Sequence, residues 1–170
     1  SVSLSPEFET IGDDLLTAIA DWQHFAILSL LDTKSFRNDP RWIGERLGID
    51  PGVARDTVER LLRLGLARLE GDTIVPTRRN LATSNDVPSA ALRNSHKQSL
   101  EQAIAALEYS PVEERDVSSV TMAIDVQRIP LAKEAIRAFR RRLMRLLEAG
   151  SPDEVYNLNI QLVPVTRKKS

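Results

Sequence analysis

The sequence contains no cysteine in its 170 residues. That absence removes disulfides, thiolate metal sites and thiol nucleophiles together. It also fits a reducing, cytoplasmic setting. Histidine is nearly as scarce: His24 and His96 are the only two, and they lie far apart in the chain. No apolar run approaches the roughly 20 residues needed to cross a bilayer, so no membrane association is expected. The N-terminal stretch has neither a basic nor an apolar region and does not read as a signal peptide. It also has no starting Met, so the chain is expected to be a piece of something longer. Neither sign of charge is in excess: 23 Lys and Arg oppose 24 Asp and Glu, for a net charge of −1. A chain-wide basic field is thereby excluded, and nucleic-acid contact would need a local patch. There is no Gly-rich phosphate loop, no Gly-x-Ser-x-Gly elbow and no His-Glu-x-x-His pair. No enzyme activity, cofactor or metal is therefore expected.

What is present is the composition of an ordinary globular protein, 42% hydrophobic and 28% charged. Residues 8–19 fit either a hairpin or the first turns of a helix around Gly12-Asp13-Asp14. Asp21 is a good N-cap for a helix carrying Trp22, Phe25, Ile27, Leu28, Leu30 and Leu31, apolar nearly all round and so expected to be buried. Asp39-Pro40 starts a second helix, with Trp42, Ile43 and Leu47 on one face and Gly48 as its end. Asp50-Pro51 starts a third, whose stripe of Val53, Ala54, Val58, Leu61 and Leu62 stops at Gly65. Residues 66–70 and 73–75 then flank Gly71-Asp72 as a hairpin that Pro76 closes. Three helices and a hairpin, with the second and third helices nearly abutting, is the order of a winged helix-turn-helix.

Residues 78–88 are polar without a hydrophobic period and read as a linker. A long helix is expected over 89–109, with Leu92, His96, Leu100, Ala103, Ile104 and Leu107 on one face. Residues 117–124 are strand-like. Residues 130–149 form another helix, striped by Ala132, Ile136, Phe139, Leu143 and Leu147. Residues 155–163 alternate, with Tyr156, Leu158, Ile160 and Leu162 facing opposite to Asn157, Asn159 and Gln161. The fold class expected is α+β: a winged helix, then a two-layer α-β-α-β domain whose helices cover one sheet face. The divisions are an N-terminal segment at 1–20, the winged helix at 21–77, the linker at 78–88, an assembly or sensing domain at 89–166 and a tail at 167–170.

Three stretches carry a family likeness: Asp21-Trp22-Gln23-His24-Phe25-Ala26-Ile27-Leu28, Val112-Glu113-Glu114-Arg115-Asp116-Val117-Ser118-Ser119-Val120-Thr121-Met122-Ala123-Ile124, and Val155-Tyr156-Asn157-Leu158-Asn159-Ile160-Gln161-Leu162. With them the chain, from about Phe8 to Thr166, resembles an uncharacterised bacterial domain-of-unknown-function family. Longer members of that family resemble transcription regulators with a separate Cro-like helix-turn-helix domain upstream. The resemblance implies a C-terminal part of such a regulator, with no established activity attached.

Candidate sites follow from charge. On the third helix Arg55, Arg60 and Arg63 are candidates for DNA phosphate or guanine. Asp56 and Glu59 would repel the same polyanion unless they pair with Arg60 and Arg63 at helical spacing. Arg137, Arg140, Arg141 and Arg145 form a candidate anion or effector site, or else a solvated basic face that complements its helix end. His24 and His96 read as core or interface histidines rather than ligands. Glu113-Glu114 reads as a solvated turn rather than an acid-base pair. The last strand presents uncharged amides along an unblunted edge, so Asn157, Asn159 and Gln161 are candidate homodimer contacts. Three functions remain open: the assembly or effector part of a regulator, a winged helix that binds DNA itself, and a small-molecule or nucleotide-binding module. DNA is a candidate partner, either direct or reached through an upstream domain.

Overall fold

The structure, a computed structural model, describes residues 9–10, 12–77, 81–82 and 89–168. Strand β1 is Glu9–Thr10, and helix α1 is Asp13–Ile19. Helices α2 (Trp22–Leu30), α3 (Pro40–Leu47) and α4 (Pro51–Arg63) follow. Strands β2 (Ala67–Glu70) and β3 (Thr73–Pro76) pair antiparallel, with Glu70 opposite Thr73. Strand β4 (Leu81–Ala82) pairs parallel with β1. Helix α5 is Ala90–Tyr109, and α6 is Ile129–Glu148. Two 3₁₀ turns, Val112–Glu114 and Val126–Arg128, lie between them. The chain is thus mixed helix and small sheet, an α+β structure.

The caps explain where the short helices begin and end. Asp39 and Asp50 each accept a hydrogen bond from a backbone N–H two residues on, and each precedes a proline in the first turn. Gly48 closes α3 at φ 66°, a left-handed conformation that a side chain would strain. Asp21 also stands at an N-cap position, but its side chain makes no capping bond. Gln98 from α5 takes that role instead. Its amide oxygen accepts from Trp22 N at 2.8 Å, and its amide nitrogen donates to Asp21 Oδ1 at 2.9 Å.

One core joins α1 through the hairpin. Ile19, Ile27, Leu30, Ile43, Leu61 and Leu66 are almost wholly enclosed, and Ile74 reaches the same cluster from β3. Helix α5 joins it only through its first turns. Leu92 is buried, while Leu100, Ile104 and Leu107 further along are exposed. The expected single apolar face of α5 is therefore covered at one end only, and His96 lies exposed rather than in the core. Helix α1 packs on α5 and α2, and β1 pairs with β4. Most of the expected 78–88 linker lies outside the described residues.

The second half departs furthest from expectation. Residues 117–124 and 155–163 run extended, yet neither belongs to a sheet. The expected α-β-α-β layer is not closed within the chain. No residue of α6 is buried. After the 3₁₀ turn that leads into it, α6 finds no extensive contact with another element. The reason is physical: period-two alternation tells which side chains share a face, but a strand exists only when a neighbour takes its hydrogen bonds.

Candidate functional site

The α4 arginines divide. Arg55 and Arg63 are exposed. Arg55 Nε lies 3.9 Å from Asp56 Oδ1 in a solvated pair that contributes little. Arg60 turns inward, and its Nη1 donates to His24 Nε2 at 3.3 Å. His24 Nδ1 lies 3.0 Å from the carbonyl of Asp21, so the ring is neutral with its proton on Nδ1. The expected pairing of Asp56 and Glu59 with Arg60 and Arg63 does not form among the described residues. Helical spacing suggested those pairs, but a buried imidazole 36 positions away takes Arg60.

Burial pushes the His24 pKa below its ordinary 6.5, and the Arg60 charge adds to the push. A histidine held neutral in the folded state binds fewer protons than the unfolded chain does as pH falls through 6.5. Stability is therefore whole above that value and is lost as pH drops toward the lowered one. Urea unfolding on either side of pH 6.5 should show this decline, and His24→Asn should remove most of it. His96→Asn should remove little: its pKa is also lowered, by desolvation and by Arg140, but at an exposed position. A stability curve flat across that interval would rule the linkage out.

Along α6, Arg137, Arg140 and Arg141 are half-exposed, and Arg142 and Arg145 are exposed. Arg137 lines a pocket at the start of the helix with Ile129, Pro130, Lys133 and Glu134. Glu113 and Glu114 occupy an exposed 3₁₀ turn. Of the three amides on the last extended segment, Asn157 and Gln161 are exposed. Asn159 donates from Nδ2 to the Ser99 carbonyl of α5 at 3.2 Å. One of the three candidate contact residues thus has a partner within its own chain.

A further contact had no sequence signal. Arg46 of α3 reaches Glu154 Oε2 at 3.0 Å and the Asp153 carbonyl at 2.9 Å, with its guanidinium 5.7 Å from the Trp42 ring. The Lys34 N–H donates to the Pro152 carbonyl, and Val155 packs against the core. These contacts anchor residues 152–155 to the N-terminal half across more than 100 positions. Nothing local in the sequence pairs Arg46 with Glu154.

Among the described residues, no group of His, Asp and Glu could hold a metal ion, and no helix is long and apolar enough to cross a membrane. The residues gathered above make a helical module with an outward arginine pair on α4, followed by a basic helix none of whose residues is fully buried. Over residues 5–165 the chain matches the family model described as domain of unknown function (DUF4423), and it belongs to that family. Comparison with the curated proteins and with the solved structures gave no match.

Proposed function

We propose that the chain is the C-terminal assembly or effector part of a bacterial transcription regulator, and that it performs no catalysis. The observation that carries this reading is α6, a 20-residue helix with a basic face and an apolar stripe, neither of which the chain buries. Helices of that kind serve as docking elements. Residues 21–77 are read as a winged helix, supported by the order α2-α3-α4-hairpin and the short turn between α3 and α4. The arginine face of α6 is then the natural place for an acidic effector. A second reading makes α4 itself the DNA reader. The exposure of Arg55 and Arg63 favours it.

Fluorescence anisotropy with random-sequence duplex over a salt series tests the two together. Under the first reading the chain alone binds no duplex even at low salt, because another domain makes that contact. Under the second, binding falls steeply with salt, and Arg63→Ala lowers the slope by about 1 as one phosphate contact is lost. Tight, steeply salt-dependent binding that survives Arg55→Ala and Arg63→Ala would remove α4 as the reader.

A further inference from the structure

We propose that a second copy of this chain completes the fold: two copies pack their α6 helices and extended segments together, closing between them the sheet that neither closes alone. The inference deepens the assembly half of the reading above and does not depend on whether α4 meets DNA.

Among the described residues, nearly all the exposed large apolar side chains lie in one half of the molecule, and only Val53 and Leu69 precede Leu100. On α6, Phe139 is 48% exposed and Leu147 66% exposed. Amphipathic helices in water draw most of their stability from covering such a stripe. Two extended segments of nearly equal length flank α6 in the sequence. Residues 117–124 expose Val120, Met122 and Ile124, and residues 155–163 expose Tyr156, Leu158 and Leu162. Among the described residues, neither 117–124 nor 155–163 makes a backbone-to-backbone hydrogen bond. Apolar side chains on a backbone with open donors and acceptors make a pairing edge.

The charges identify the occupant. Helix α6 carries Lys133, Arg137, Arg140, Arg141, Arg142 and Arg145 against Glu134 and Glu148, a net of +4. Residues 108–125 carry Glu108, Glu113, Glu114, Asp116 and Asp125 against Arg115, a net of −4. Among the described residues, Arg141, Arg142 and Arg145 make no ion pair with this acidic stretch, nor do Glu113 and Glu114 with α6. Two stretches of opposite net charge on one chain can match each other twice over across a two-fold axis. A different partner would have to supply a basic face, an acidic face, strand edges and an apolar stripe together. A second copy supplies all four in the right proportion.

Light scattering of the full chain should give twice its 19.0 kDa mass across a wide concentration range. Phe139→Asp on α6 and Val120→Asp on the first extended segment should each halve that mass. Both side chains are exposed within one chain, at 48% and 74%, so its own core is left intact, as far-ultraviolet circular dichroism would verify. Amide hydrogen exchange supplies the second readout. Protection over 117–124 and 155–163 is expected in the parent and should be lost in both variants. A parent chain monomeric throughout, a dimer that survives either substitution, or a dimer with those amides unprotected would each overturn the proposal. None of these outcomes bears on DNA binding, so this inference and the functional reading can fail separately.

Discussion

Leu61→Ala is expected to lower the stability of the chain by about 2–5 kcal/mol, the cost of emptying a site that cannot collapse. That loss is a large share of the roughly 5–15 kcal/mol that holds a typical domain folded. Leu61 is 1% exposed, on the inner face of α4. The enclosed cluster around it draws on four other parts of the fold: Ile27 and Leu30 from α2, Ile43 from α3, Leu66 after the helix and Ile74 from β3. The neighbours are anchored from several elements, so no single side chain can swing in to fill the gap. Val53 lies on the same helix but is 41% exposed. Val53→Ala should stay within about 0.5 kcal/mol, as surface changes do. Urea unfolding of the two variants measures the difference directly. Equal losses would mean that α4 does not present its Leu61 face to this core.

The contrast between the two halves follows from what a sequence encodes locally. Asp39-Pro40, Asp50-Pro51 and Gly48 act within a few residues of themselves: α3 starts and stops, and α4 starts, at those signals. Gly71-Asp72 likewise places the hairpin turn. The all-round apolar pattern of α2 foretells its burial, with His24 included. What stayed hidden is long-range. Gln98 capping α2, Arg60 on His24 and Arg46 on Glu154 each join residues 36 or more apart, and none of these residue types had to choose that partner. Residues 155–163 alternate in hydropathy as a strand should, yet alternation is silent on which chain supplies the neighbour. Of the candidate residues, the α4 and α6 arginines were legible as charge on a helix. The inward turn of Arg60 was not, since it depends on a histidine from another helix.

Gly44→Ala tests how closely α3 meets the turn that follows it, and two effects of opposite sign compete there. By helix propensity alone, Ala in place of Gly inside α3 should stabilise by about 1 kcal/mol. Geometry says otherwise. A Cβ at Gly44 would lie 2.7 Å from the Ile49 carbonyl oxygen and 3.4 Å from Pro51 N, both backbone atoms. The turn is also tied to this residue, since Ile49 N donates to the Gly44 carbonyl at 3.0 Å. Backbone held that way cannot swing aside as the tip of a side chain would. Overpacking of this kind typically costs about 1–3 kcal/mol, so the clash should outweigh the propensity gain. The variant is expected to be less stable than the parent, with α4 displaced from α3 and its Arg55 and Arg63 carried along. Thermal melting gives the sign, and the sign decides. A gain in stability would mean that α3 and the turn can separate at little cost, and that the spacing between the two helices is not fixed by Gly44.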